Sequence, residues 1–296
     1  MKSRYQQNEE KRKKEKREKN KGRFKKMIIF LIIVVILLLI WGKFIEPNLL
    51  MINDYKLESE QLPESFKGSK IVQFSDLHYG MISESMLKRL VNNINSLKPD
   101  VVVFTGDLVE EGYELKDDDI KTLVKYLNKI NASLGKYAII GNHDVRNESF
   151  ENIMYDSNFR LLKNNYDTVY NEKNDSILIY GLDDSIEGEP TIKALKAKDI
   201  NNINYRIILT HEPDYVDEFI NDYDISLVLA GHSHGSQVNI PGINRLFLPK
   251  GCRKYYKSYY NVNNTPLYIS NGIGNSMLNF RLFTIPSINV YRLYTK

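Results

Sequence analysis

Every one of the five histidines in the chain follows an apolar run, and each run stops in groups able to hold a metal ion or a phosphate. Asp76 and His78 follow "KIVQFS", Asp107 follows "DVVVFTG", and Asn142, His143 and Asp144 follow "KYAIIG". His211 follows "YRIILT", and His232 with His234 stand in "GHSHGSQ" after "SLVLA". Taken singly, each has an ordinary explanation: Asp107 as a turn acid, Asn142 and Asp144 as helix caps, His211 as a satisfied polar residue. Taken together they point to one centre, because independent turns have no reason to claim every histidine. Imidazole and carboxylate with one amide suit a borderline dication such as manganese, zinc, iron or cobalt, whereas an oxygen cage for magnesium or calcium would not use so many histidines. The single cysteine, Cys252, excludes an intrachain disulfide and a cysteine-based zinc cluster, and reads as a small packed residue.

Positioning these groups requires strands that end at a common edge. "KIVQFSD" reads as a short strand, and Ser83 caps a helix whose Met86, Leu87, Leu90, Val91, Ile94 and Leu97 share one face until Pro99 closes it. "DVVVFTGD" is a β-branched run of the buried kind, followed by a helical pattern from about Asp117 to Ile130 and a third strand, "KYAIIGNHD". This βαβαβ rhythm implies parallel strands. "DTVYNEKNDSILIYGLDD" reads as a hairpin, "YRIILTHEPD" and "SLVLAGHSHG" as buried strands, and "PLYISNGIG" and "SINVYRLY" as closing antiparallel strands. In open α/β sheets functional sites collect beyond the carboxyl ends of strands, so these turns can converge. One α/β domain over residues 70–296 is expected, preceded by a linker, residues 46–69, that contains Pro47, Pro63 and Gly68.

Charge is unevenly spread. Residues 1–26 carry 13 Lys or Arg against four Glu, leaving 28 basic and 33 acidic residues elsewhere. This tail reads as a solvated charge run, and because an apolar segment follows at once, the pattern argues for membrane topology rather than nucleic-acid binding. Residues 27–45 are apolar apart from Lys43. As a helix they would span roughly 28 Å, close to a hydrocarbon core of ~30 Å, with Trp41 at the interface and Lys43 snorkelling. "WGKFIEPN" offers no small-residue cleavage site, which favours an uncleaved signal anchor over a signal peptide. By the positive-inside rule the expectation is a single-pass cell-membrane protein with a cytoplasmic N-terminus and an extracytoplasmic domain.

The blocks "D-x-H" at Asp76–His78, "GDLVE" at Gly106, "GNHD" at Gly141, the strand-end His211 and "GHSHG" at Gly231 resemble, in order, the calcineurin-like metallophosphoesterase signature. "FLPKGCRKYY" and "YISNGIGNS" are similar to a membrane-anchored or exported bacterial branch of that family. The resemblance implies a four-layer α-β-β-α sandwich, two packed mixed β-sheets flanked by helices. It further implies two divalent metals. Asp76, His78, Asp107 and His234 would hold one, and Asn142, His211 and His232 the other, with Asp107 bridging. His143 would face the substrate, with Asp144 behind it as the group that orients it.

A hydroxide bridging two dications needs no protein base and would attack phosphorus in line with the leaving oxygen, with His143 stabilising or protonating the leaving group. Protein phosphatases of the family tend to show "GD-x-x-D-R-G", whereas "GDLVEEG" here puts Glu110 and Glu111 where they would repel a phosphoprotein. Monoesters, diesters and pyrophosphates stay open, on a phosphorylated small molecule or a lipid-linked or cell-envelope substrate, with no nucleic acid and no obligate protein partner expected. The alternative is a catalytically silent, membrane-tethered binding or scaffold member of the fold, although such a chain would be expected to lose ligands. A β-lactamase-type metallohydrolase would want "H-x-H-x-D-H", which is missing. Two flanking runs have two readings each. "KGCRKYYKSYY" either frames an anionic substrate or forms a hairpin with solvated lysines, and "NSMLNFRLFTIP" forms either an apolar lip toward lipid or core packing.

Overall fold

The computed structural model describes residues 3–242 and 244–296, so Met1 and Lys2 of the basic tail lie outside it. A first helix, α1 (Arg4–Ile40), takes in the rest of the tail and runs on into the apolar segment, ending in a π-helical turn over Trp41–Ile45. It is the one helix among the described residues that is long and apolar enough to cross a membrane. Most of its large apolar side chains between Met27 and Ile40 are exposed around the whole circumference, Phe30 by 64% and Leu37 by 59%, a surface suited to lipid rather than water.

Two six-stranded mixed sheets follow. The first has the order β1 (Met51–Ser59), β12 (Ser287–Thr295), β2 (Lys70–Phe74), β3 (Val101–Phe104), β4 (Gly135–Ala138) and β5 (Arg160–Leu161). The second runs β10 (Tyr259–Val262), β11 (Thr265–Ile269), β9 (Leu227–Ala230), β8 (Arg206–Thr210), β7 (Ser176–Gly181) and β6 (Asn165–Tyr170). Strands β2, β3 and β4 are parallel, as are β7, β8, β9 and β11, while β6 and β7 form the antiparallel hairpin.

The run of valines in β3 is explained by burial on both faces. Val101 and Val103 point into the core between the sheets, with Ile179, Ile207 and Leu229 opposite, while Val102 and Phe104 point out under the helices. That outer face is covered by α2 (Glu84–Leu97), α3 (Asp117–Leu127) and α4 (Phe150–Asp156). Ser83 Oγ accepts from Met86 N–H at the start of α2, and Lys98 in the left-handed region before Pro99 ends it. Each aliphatic side chain fully buried here contributes about 1.5–3 kcal/mol relative to exposure. The far face of the second sheet carries no α-helix among the described residues. Short 3-10 turns at Lys193–Lys196, Lys198–Ile200 and Pro213–Glu218 supply Leu195, Ile200 and Val216 to that core instead.

Two expectations need correction. Residues 46–69 are not a linker, because they contain β1, paired in parallel with β12 from Met51↔Ser287 to Ser59↔Thr295. As an edge strand β1 buries only Leu57 fully, which left little apolar signal in the sequence. The closing strands are not purely antiparallel either: β11 is parallel to β9, and β12 is antiparallel to β2 but parallel to β1.

Candidate metal centre

The carboxyl ends of β2, β3, β8 and β9 meet where the two sheets touch. Gln73 Nε2 donates to the Ala230 carbonyl at 2.9 Å, and His211 Nδ1 donates to the Thr105 carbonyl at 2.7 Å, so both bonds cross from one sheet to the other. Beyond this seam the backbone turns sharply. Asp76, His78, Asp107, His232 and His234 all stand at positive φ, between 45° and 67°. Left-handed backbone at a non-glycine residue costs on the order of 1–3 kcal/mol and persists where surrounding structure demands it.

Three groups of possible ligands come together: Asp76, His78 and His234 in one, Asp107, His211 and His232 in a second, and His78, Glu110 and His143 in a third that shares His78 with the first. In the first, His78 Nε2 is 3.0 Å from His234 Nε2, and His234 Nε2 is 3.5 Å from Asp76 Oδ1. In the second, His211 Nε2 is 3.1 Å from Asp107 Oδ2 and 3.2 Å from His232 Nδ1. Asp107 lies between these two groups, its Oδ2 also 3.7 Å from His78 Nε2. Asp76 Oδ2 and Asn142 Oδ1 are buried with no hydrogen-bond partner. Imidazole nitrogens facing each other and buried oxygen acceptors without donors are the surroundings that a cation satisfies.

The rings are fixed from behind. His211 gives its Nδ1 proton to Thr105, and His232 donates from Nε2 to the Lys250 carbonyl at 2.8 Å, which leaves His211 Nε2 and His232 Nδ1 as lone pairs facing inward. His78 Nδ1 lies 2.6 Å from Glu110 Oε2, and Arg281 Nη2 lies 3.2 Å from His234 Nδ1. Burial, reinforced by His211, pushes His232 down to about 4. Burial, followed by His78 and Arg281, holds His234 well below the ordinary imidazole range. Burial would raise Asp107, but His211, His143 and His78 outweigh it and hold the carboxyl well below the usual range. Burial would lower His78 and His211 as well, but Glu110 and Asp107 outweigh it at His78 and Asp107 at His211, so both rings are raised. A cation bound there would displace those protons, since metal ligands must be deprotonated.

His143 stands apart. Its main-chain N–H donates to Asp107 Oδ1 at 3.0 Å, and its Nδ1 accepts from Glu111 N–H at 3.0 Å. With Nδ1 accepting, a proton on the ring sits on Nε2, 4.0 Å from Asp107 Oδ2, and the residue lines the cavity. Asp144 does not orient this ring. Its carboxylate takes N–H bonds from Asp107 at 2.7 Å, Leu108 at 2.8 Å and Gly141 at 3.1 Å, stapling the two loops together. Burial and the charge of Asp107 push Asp144 up to about 7.

Sequence reasoning also misplaced Glu110, which is turned inward onto His78 rather than toward a substrate, and did not single out Arg281. The basic run does not frame the site with its side chains as a whole: Lys254 pairs with Asp217 at 2.6 Å, while Lys250 contributes its carbonyl to His232. Next to His211, Glu212 Oε2 accepts from Ser185 N–H at 3.0 Å and Ser185 O–H at 2.8 Å. Nearby Asp184, accepting from Ile186 N–H at 2.9 Å, is pushed up to about 7 by burial and by Glu212.

Two mixed sheets with a histidine- and carboxylate-lined seam at their strand ends define a metal-dependent phosphoric ester hydrolase. The chain belongs to the calcineurin-like phosphoesterase family, whose sequence profile matches residues 69–236, and the dimetal chemistry of that family implies two divalent ions. Among relatives, an uncharacterized metallophosphoesterase, YkuE, of Bacillus subtilis is 30% identical over 86% of this chain and 88% of its own length. UDP-2,3-diacylglucosamine pyrophosphatase LpxG of Chlamydia muridarum is 27% identical over 86% of this chain and 92% of its own. A transmembrane protein with metallophosphoesterase domain of Danio rerio is 30% identical over 75% of this chain and 52% of its own. α1 and the likeness to this transmembrane relative together suggest membrane association.

Proposed function

We propose that the chain is a membrane-anchored phosphoesterase in which Asp76, His78, Asp107 and His234 hold one divalent ion and Asp107, Asn142, His211 and His232 the other. The observation that carries this reading is the convergence of two His-carboxylate groups on the shared Asp107. A pair of dications bound there would supply Lewis acidity toward a phosphoryl group and an acidified water. His143 is poised to give its Nε2 proton to a leaving oxygen, because Glu111 N–H holds Nδ1 as the acceptor. Asp144 keeps the loops carrying Asp107 and Asn142 in register. Histidine nitrogen and carboxylate oxygen favour manganese, zinc, iron or cobalt.

The substrate in this reading is a cell-envelope or lipid-linked phosphate ester or pyrophosphate, supported by the relative named as a UDP-2,3-diacylglucosamine pyrophosphatase. The basic tail, which forms the first part of α1, supports a cytoplasmic N-terminus and an extracytoplasmic domain on a single span. The test is hydrolysis of bis-p-nitrophenyl phosphate and p-nitrophenyl phosphate by the full chain in detergent, after chelation and reloading with each metal in turn. Turnover restored by at least one metal is expected. No turnover on either compound with any of the four would favour the scaffold role.

A further inference from the structure

The metal centre opens into a cavity of about 840 Å³ that is lined on one side by Asp107, His143 and His234 and on the other by Met277, Leu278 and Phe280. Met277 is 84% exposed and Leu278 67%, so this segment is not core packing. Nor is its backbone loose. Met277 N–H donates to Glu110 Oε1 at 2.8 Å, and Gln237 grips the loop through Ser276 N–H at 2.9 Å and the Ser276 and Leu278 carbonyls at 3.0 Å each. Apolar side chains held out into solvent by a pinned backbone mark an interaction surface.

Phe280 joins this surface to the end of α1. It lines the cavity, and its ring packs so closely on Gly42 that a Cβ there would come within 2.5 Å of it. Arg281 N–H donates to the Gly42 carbonyl at 2.9 Å, and Glu46 binds both Trp41 Nε1, at 2.7 Å, and Thr284 N–H. Phe44 is 67% exposed, and Phe283, 57% exposed, lines a neighbouring cavity together with Trp41. A helix that leaves the bilayer at Trp41 therefore brings the rim down to the headgroup level.

We infer that Met277, Leu278 and Phe280 form a membrane-facing rim of the metal site. Through it the site takes from the bilayer a phosphate ester bearing an acyl or alkyl chain, which rests on the phosphoesterase reading above. The chain lies along the rim while the phosphate reaches the histidines.

The test uses the full chain in phosphatidylcholine vesicles with p-nitrophenyl ethyl phosphate against p-nitrophenyl dodecyl phosphate, and ethyl against dodecyl phosphate as the monoester pair. The dodecyl ester should be cleaved with at least tenfold higher kcat/KM, and the double variant M277S/L278S should lower that ratio several-fold. Partitioning into the vesicle would favour the dodecyl ester in both proteins alike, so a ratio untouched by the double variant overturns the rim. Independently, a fluorophore on M277C should be quenched by lipids spin-labelled near the headgroup, and one on Y155C, on α4, should not. An unquenched label at position 277 also overturns it. If none of the esters is cleaved, the phosphoesterase reading fails, and the quenching still decides where the rim lies.

Discussion

Glu110 and His78 are locked together, with Oε2 of the one 2.6 Å from Nδ1 of the other. The carboxylate lies against the Nδ1 edge of the ring, and the Nε2 edge faces Asp107 and His234. Glu110→Ala should weaken metal binding about 10–100-fold, the usual cost of losing such a partner. Glu110→Gln, which still offers an oxygen acceptor, should lose less. Titration with manganese or zinc against a competing chelator reads both.

His143 and Asp107 should separate chemistry from binding. His143→Ala is expected to lose turnover by about 10²–10⁴-fold while still taking up two metal equivalents, since its ring is not among those facing a neighbouring imidazole at hydrogen-bond distance. Asp107→Asn should lose metal as well as turnover, because its carboxylate faces both groups. Steady-state rates set beside metal content per chain decide between them, and full turnover in His143→Ala would show that its role is misassigned.

Gly231 admits no side chain. A Cβ there would collide with Ser75 Oγ and lie 2.8 Å from Asp76 Oδ2. Gly231→Ala should destabilise the domain by about 1–3 kcal/mol through overpacking and displace Asp76 from His234. The expected result is a lower Tm together with reduced metal uptake. Unchanged uptake would mean that the loop tolerates the shift.

Asp184 makes stability depend on pH in the chelated protein. Its folded value of about 7 lies above the ordinary carboxyl value of ~3.9, so between those pH values the folded chain binds more protons than the unfolded chain. Stability should therefore fall as pH rises from about 4 through about 7. Asp184→Asn should remove part of that loss and be more stable than the parent at pH 8 by on the order of 2 kcal/mol, or about 5 °C in Tm. Parallel melting curves for the two proteins at pH 5 and pH 8 would contradict this.

The positions of Asp76, Asp107, Asn142 and His211 were legible because each signal is local: an apolar run, then a polar group at the strand end. Partnerships across the chain were not. Met277 reaches Glu110 from 167 residues away, Arg281 reaches His234 from 47, and Asp144 finds its donors on a loop 36 and 37 residues earlier. Strand β1 escaped notice for the same reason, since its alternating polar sequence acquires meaning only beside β12. The outer layer of the second sheet was legible only as helices in general, because the Pro- and Asn-containing segments that cover it form single turns rather than amphipathic stretches.

The strand order also sets a sequence of events in biosynthesis. β12 lies between β1 and β2, and Asn289 bonds to Asn53, a residue made 236 positions earlier. β1, tethered just past the end of α1, therefore has no partner until β12 has left the ribosome. The first sheet is thus sealed late, beside the end of α1. A chain stopped before Ser287 would keep β2, β3 and β4 but leave β1 hanging from the end of α1.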